Sequence, residues 1–249
     1  MSNTVSVASN FNPHTFDDYA EFYDGVLEWP YRKELELPTI KHLIGDISGL
    51  KVMDFGCGPG VITRWLHSQG PAELVGYDIS EGMLQHAKQI EEKESLGIHY
   101  TSEITEEYSQ KFDLILAVYV MPYATHAQEL YEMCARVSGM LKPGGKFITL
   151  PVHPNFNGDS NYYLNVGFQL VETEPRHDGS KLQLKLDIPP HKIDIEAYYW
   201  SRKTIEDTLQ QVGFDTVTWE SLIIPQNYSP SLDSYIDCPH AAIVQAIKK

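Results

Sequence analysis

The stretch Asp54-Phe55-Gly56-Cys57-Gly58-Pro59-Gly60 decides the fold of this chain. It follows the apolar run Leu50-Lys51-Val52-Met53 and precedes Val61-Ile62-Thr63-Arg64-Trp65-Leu66, an order that reads as strand, glycine loop and helix. Glycines allow a sharp turn at positive φ and remove the Cβ atoms that would hold a ligand away from the backbone. A dinucleotide fingerprint, G-x-G-x-x-G, would require glycine at position 61, which is Val61. The loop instead reads acidic-x-G-x-G-x-G. Its carboxylate, Asp54, sits at the strand end, where it would repel a pyrophosphate but accept hydrogen bonds from an ammonium group. The ligand indicated is cationic and amino-acid-like.

A second carboxylate extends the pattern. Leu74-Val75-Gly76-Tyr77-Asp78 reads as the next strand, and Asp78 falls where a doubly wound fold places the acidic residue that binds ribose hydroxyls. Four pieces in order, Val52 to Gly60, Tyr77-Asp78-Ile79-Ser80 with Met83, Phe112 to Ala117, and Leu141-Lys142-Pro143-Gly144-Gly145-Lys146-Phe147, resemble the class I S-adenosylmethionine (SAM)-dependent methyltransferases over roughly residues 50 to 150. The resemblance implies that SAM is the cofactor, with S-adenosyl-L-homocysteine as its product and no metal. It implies that Asp54, Gly56, Gly58 and Gly60 surround the methionine part, that Asp78 accepts from the ribose, and that Ile79 and Met83 pack on adenine. Asp78 also reads as a helix N-cap before Ser80-Glu81, and Met83 as ordinary packing. The residue expected to bind the adenine amino group has no clear counterpart, and Glu103 is the nearest candidate. Ala117 and Val118 end the fourth strand beside the expected crevice. Tyr19 and Tyr23 share a helix face, and related methyltransferases use such tyrosines to close over the SAM carboxylate; both also suit packing of the N-terminal cap. Tyr31 and Arg32 are further carboxylate-binding candidates.

Composition bounds the partners. The chain has 249 residues, and Lys+Arg 19 against Asp+Glu 34 gives a formal charge of −15. That surface disfavours nucleic acid. No apolar run reaches the length of a membrane span, and the start Met-Ser-Asn-Thr does not look like a secretory signal, so a cytoplasmic protein with no membrane partner is expected. Cys57, Cys134 and Cys238 are widely separated, and no His, Asp or Glu cluster has metal-ligand spacing.

The alternation of strand candidates (50–55, 73–77, 97–101, 112–118, 145–150) with helix candidates (60–69, 80–94, 126–140) predicts an α/β, doubly wound, Rossmann-like sheet of seven mostly parallel strands. A helix over 35–47 precedes it. After position 150, three strand-like segments (167–174, 181–186, 193–200) without helices predict an antiparallel insertion, followed by a helix (204–212) and two strands (214–223, 241–247). The expected organisation is one methyltransferase domain over 1–249: an N-terminal helical cap (1–48), a SAM-binding core (49–150), a substrate lid (151–203), and a C-terminal helix and strands (204–249).

Methyl transfer from a sulfonium needs a dry pocket and an aligned nucleophile, and a base only where the acceptor loses a proton. Tyr119 and Tyr123 follow the fourth strand, and Tyr162, Tyr199 and Trp200 belong to the insertion. Together they suggest an aromatic wall for a planar or cationic small molecule, against the alternative of core packing. His153, after the fifth strand, is the candidate base, with Tyr119 beside it, although a histidine in a Pro-rich loop also reads as a surface residue. Pro30-Tyr31-Arg32, Leu43-Ile44-Gly45-Asp46, Ala117 to Ala124, Met133-Cys134 and Val166-Gly167-Phe168 are similar to bacterial small-molecule methyltransferases of the toxoflavin type. That resemblance implies methylation of a ring nitrogen in a heteroaromatic metabolite by a monomer or homodimer. C- or O-methylation of an apolar acceptor, and a SAM-binding partner protein without activity, are the competing readings. A nicotinamide oxidoreductase is disfavoured by Val61 and Asp54.

Overall fold

The computed structural model describes residues 23, 25–188 and 191–249. Tyr19 and most of the expected helix over 16–23 lie outside them. Among the described residues, ten strands form two sheets. The larger contains β1 (Lys51–Phe55), β2 (Glu73–Tyr77), β3 (His99–Thr101), β4 (Phe112–Val118), β5 (Leu141–Leu150), β9 (Phe214–Glu220) and β10 (Ile243–Lys248), in the order β3-β2-β1-β4-β5-β10-β9. The five strands from β3 to β5 are parallel, and β10 runs antiparallel to both β5 and β9. The smaller sheet is the antiparallel insertion, β6 (Phe168–Glu172), β7 (Lys181–Ile188) and β8 (His191–Tyr198). This is the Rossmann-like arrangement expected from the alternation of elements.

Successive residues of a strand point to opposite faces, and both faces of this sheet are covered. On one face Val52, Leu114 and Ile148 pack with α1 (Leu37–Ile44), α2 (Val61–His67) and α3 (Glu81–Glu94), through Ile40, Leu66 and Leu84. On the other, Met53, Ile115 and Phe147 pack with α4 (Ala127–Met140) and α5 (Arg202–Gln211), through Leu130, Val137 and Leu209. A third cluster joins the small sheet to residues 31–35 and to the segment before β10, where α6 (Asp233–Asp237) lies.

Three local departures from the expected elements have physical causes. The first helix begins earlier than 35, as a wide π turn over Arg32–Glu36 that runs into α1. Pro38 follows directly; it has no N–H to donate back into the turn, a break that a widened turn accommodates. β5 takes up the pairing at Leu141 rather than 145. The pairs Phe112↔Leu141 and Leu114↔Lys146 show that Lys142 to Gly145 bulge out of register, with Lys142 Nζ 2.5 Å from Asp113 Oδ1. Finally, α6 was not expected, because its five residues are too short to carry a helical period.

Strand order reverses between β2-β1 and β4, so the loops at the carboxyl ends of β1 and β4 diverge and leave a crevice. Since β10 is antiparallel, its starting end lies at that same edge. The bridge Val152↔Ala241 and the bond from His153 N–H to His240 O (2.7 Å) bring the chain before β10 beside the end of β5.

Candidate active site

The crevice is a cavity of about 370 Å³ lined by six parts of the chain. The β1 loop supplies Asp54 to Gly58, the β2 loop supplies Asp78, Ile79 and Met83, and the β4 end supplies Val118, Tyr119 and Tyr123. Tyr31 and Arg32 come from the π turn, His240 from before β10, and Leu170, Leu184, Leu186, Ile195 and Ala197 from the small sheet.

The glycine loop is shaped by its neighbours. Gly56 (φ 78°) and Cys57 donate their N–H groups to Tyr77 O at 2.7 and 2.9 Å, which ties the β1 loop to the end of β2. A Cβ at Gly56 would overlap the Val120 side chain. At Gly58 (φ 53°) a Cβ would meet nothing within 4 Å, so the open space beside this backbone belongs to the cavity. Gly60 starts α2 without lining the cavity, and the Tyr100 ring occupies the place of its absent Cβ.

The two aspartates differ in setting. Asp78 Oδ2 accepts from Gly58 N–H at 2.7 Å and Oδ1 from Ser80 N–H at 2.9 Å, so it braces both loops. The N-cap of α3 is Ser80, whose Oγ accepts from Met83 N–H. Asp54 is almost wholly buried and accepts from Thr63 O–H at 2.6 Å. Burial pushes its pKa up to about 7; the Thr63 bond opposes the shift and Asp78 adds to it. A buried carboxylate with one neutral donor suits a cationic ligand group.

Opposite these loops stands a buried polar network. Glu36 Oε1 accepts from Tyr119 O–H and from Tyr235 O–H (2.9 Å), and Arg32 Nε lies 3.4 Å from Glu36 Oε2. Arg32 and Glu36 are both buried. Burial pushes the Glu36 carboxyl up, while Arg32 and the two tyrosines favour its charged form. The Arg32 guanidinium also stands over the Tyr119 ring at 4.9 Å. Tyr119 holds φ at 59°, a strained conformation for a bulky residue, which turns its side chain back into this network. His240 Nδ1 lies 2.9 Å from Tyr235 Oη, and burial lowers the pKa of the ring to about 3.

Of the candidate residues read from sequence, Tyr23, Arg32, Asp54, Gly56, Gly58, Asp78, Ile79, Met83, Val118, Tyr119 and Tyr123 line this one cavity. Others lie outside its lining. Ala117 is buried inside the sheet, and Glu103 is exposed past β3. His153 Nδ1 accepts from Asn155 N–H (3.1 Å) in its own loop. Tyr162 donates to Ser234 O and Tyr199 to Pro154 O, while Trp200 is buried against the large sheet. The small sheet therefore gives the cavity aliphatic side chains, and the aromatic lining comes from other elements, among them Trp29, Tyr31, Tyr77, Tyr119 and Tyr123. Glu36, Tyr235 and His240 escaped the sequence reading. The spacing Arg32…Glu36 was visible as an i, i+4 pair, but nothing local marks residues 235 and 240.

Among the described residues no group of three or more His, Cys, Asp or Glu could hold a metal ion, and no helix is long and apolar enough to cross a membrane. Residues 52–145 match the family described as "Methyltransferase domain". A relative from Coxiella burnetii named ubiquinone biosynthesis O-methyltransferase is 31% identical over 128 residues, 50% of this chain and 52% of its own length. The chain thus spans about half the length of the curated relatives it matches. Two crystal structures share the fold. One is an S-adenosylmethionine dependent methyltransferase from Mesorhizobium loti (TM-score 0.58, 20% identity, 86% of this chain and 97% of that one). The other is the CcbJ methyltransferase from Streptomyces caelestis (TM-score 0.63, 14% identity, 96% and 99%). Residues 52–145 are thus similar to a methyltransferase domain, and the chain as a whole shares the fold of solved methyltransferases.

Proposed function

We propose that this protein transfers a methyl group from SAM to a small planar molecule, at a ring nitrogen. The observation that carries the reading is one continuous cavity running from the glycine loop and the two aspartates to a chamber walled by Tyr31, Tyr119, Tyr123 and the small sheet. The residues present fit the cofactor. The backbone beside Gly58 offers room for close approach, Asp54 is a buried acceptor for an ammonium, and Asp78 is an edge acceptor for ribose hydroxyls. Ile79 and Met83 would flank adenine, and Tyr23 or Arg32 would meet the carboxylate of the methionine part.

When bound, SAM supplies an electrophilic methyl on a sulfonium, and the displacement requires no metal from the protein. What the chain contributes is alignment and exclusion of water. The aliphatic side chains of the small sheet close one side of the chamber, and Tyr119 and Tyr123 fix the plane of an entering ring. A second reading, methylation of an aromatic hydroxyl, is favoured by the name of the Coxiella relatives, although the match covers only about half of each chain. The test is incubation with methyl-labelled SAM and a fractionated bacterial metabolite extract, followed by location of the label. Label on a ring nitrogen supports the first reading and label on oxygen the second. SAM binding with no transfer to any fraction would favour a non-catalytic SAM-binding protein.

A further inference from the structure

His240 is 6% exposed, lines the chamber, and was not marked by any motif. Its ring is enclosed by those of Phe168 (centroids 4.7 Å apart), Tyr31 (5.4 Å), Tyr119 (5.4 Å, stacked at 17°), Tyr235 (5.6 Å) and Tyr163 (6.0 Å). The hydrogen-bond geometry fixes where its proton sits. Glu36, in ion-pair contact with Arg32, is an acceptor, and both Tyr119 and Tyr235 donate to its Oε1. Tyr235 has one proton, and Glu36 takes it. The 2.9 Å contact between Tyr235 Oη and His240 Nδ1 must then be a donation from Nδ1–H to the phenol oxygen. Nε2 is left with its lone pair, and no described residue gives it a hydrogen bond.

We propose that His240 Nε2 accepts a hydrogen bond from an N–H or O–H of the methyl acceptor, and that the acceptor is a non-cationic planar aromatic molecule bearing such a donor. The inference rests on the methyl-transfer reading and deepens it by naming what the chamber selects. A buried lone pair rejects a ligand that offers it no hydrogen, because both groups lose water without compensation. A cation would meet the Arg32 guanidinium, which lines the cavity. The groups facing His240 hold it neutral. Arg32 disfavours a second positive charge, His153 acts in the same sense, and the buried phenols of Tyr31, Tyr119, Tyr163 and Tyr235 all keep their protons to high pH. In the transfer, the lone pair of the donor atom forms the new bond to the methyl carbon and the S–CH3 pair stays on sulfur. The proton on that atom, made acidic by the positive charge arriving there, is lost to water as the methylated product leaves; Nε2 accepts its hydrogen bond without keeping the proton.

The first test is 15N NMR of histidine-labelled protein, with His240 assigned by its loss in His240→Asn. The expected spectrum has a protonated Nδ1 and an unprotonated Nε2, unchanged from pH 5 to 9. The opposite tautomer, or a doubly protonated ring at pH 7, would overturn the proposal. The second test measures binding to protein saturated with S-adenosylhomocysteine, using 2-quinolone against 1-methyl-2-quinolone and 2-naphthol against 2-methoxynaphthalene. At least one donor-bearing compound should bind about tenfold more tightly than its methylated partner, one good hydrogen bond's worth. His240→Asn keeps a donor for Tyr235 but has no acceptor at the Nε2 position, and it should bring that ratio within about twofold. Equal affinities within both pairs for the wild type, or an undiminished preference in His240→Asn, would refute the assignment. Failure of the wild type to bind S-adenosylhomocysteine at all would refute the methyl-transfer reading instead, and the NMR result would stand apart from it.

Discussion

The two halves of the cavity are built in opposite ways. The cofactor side comes from one stretch of chain, Asp54 to Met83, and its shape is set by backbone: positive-φ glycines, N–H groups pointing at Tyr77 O, and an aspartate bracing two loops. The acceptor side is assembled from residues 31–36, 119–123, the small sheet and 235–240, and its shape is set by side chains that meet only after the chain has folded. A backbone-built site tolerates few substitutions and binds one kind of ligand. A site assembled from side chains on separate elements changes its ligand with each element, which is why one fold serves many acceptors.

Substitutions should therefore fail differently on the two sides. The largest effect is expected at Glu36→Ala, which leaves the Arg32 guanidinium buried without its carboxylate and two phenols without an acceptor. Urea unfolding should show a loss of about 3–5 kcal/mol; a change under about 1 kcal/mol would mean the network does not hold the acceptor side together. Asp78→Ala should leave the fold nearly intact but weaken SAM binding by roughly 1–3 kcal/mol in calorimetry, since it removes the brace on Gly58 and an acceptor for buried hydroxyls.

A smaller effect follows from Asp54. Its pKa in the unliganded protein is about 7, raised by burial, and the ammonium of the cofactor needs the carboxylate form. Binding must then expel a proton below that pKa and none above it. Affinity for SAM should rise about thirtyfold from pH 5.5 to 8, and Asp54→Asn should bind weakly with a flat profile. A wild-type profile as flat as that of Asp54→Asn would remove Asp54 from the site. The smallest effect is expected at His153→Ala, whose side chain bonds within its own loop. kcat/KM with any accepted substrate should stay within about twofold across pH 6 to 9, and a tenfold fall would draw His153 into the chamber.

The same contrast sets what could be read from the chain. Glycine spacing, an acidic strand end and the alternation of strand and helix are local, so residues 50–150 announced the five parallel strands and the loops that line one side of the cavity. The three-stranded insertion was legible from strand-like composition without intervening helices. Its role was less so: Tyr162, Tyr199 and Trp200 are conspicuous in sequence, yet Tyr162 and Tyr199 pack in the cluster of the small sheet and Trp200 in that of the large one, and aliphatic residues of β6, β7 and β8 face the cavity instead. The histidine in the chamber, His240, precedes β10, the neighbour of β5. Because β10 runs antiparallel, the residue before it reaches the same edge as the residue after β5, a consequence of pairing that no spacing encodes.

The central claim is that the crevice between Asp54 and Asp78 holds SAM, and isothermal titration of the protein with SAM, repeated with NADH, tests it most directly. Saturable one-to-one binding of SAM, weakened at least about fivefold by Asp78→Ala and absent with NADH, is the result this account requires. Heat of binding from NADH with none from SAM would contradict it.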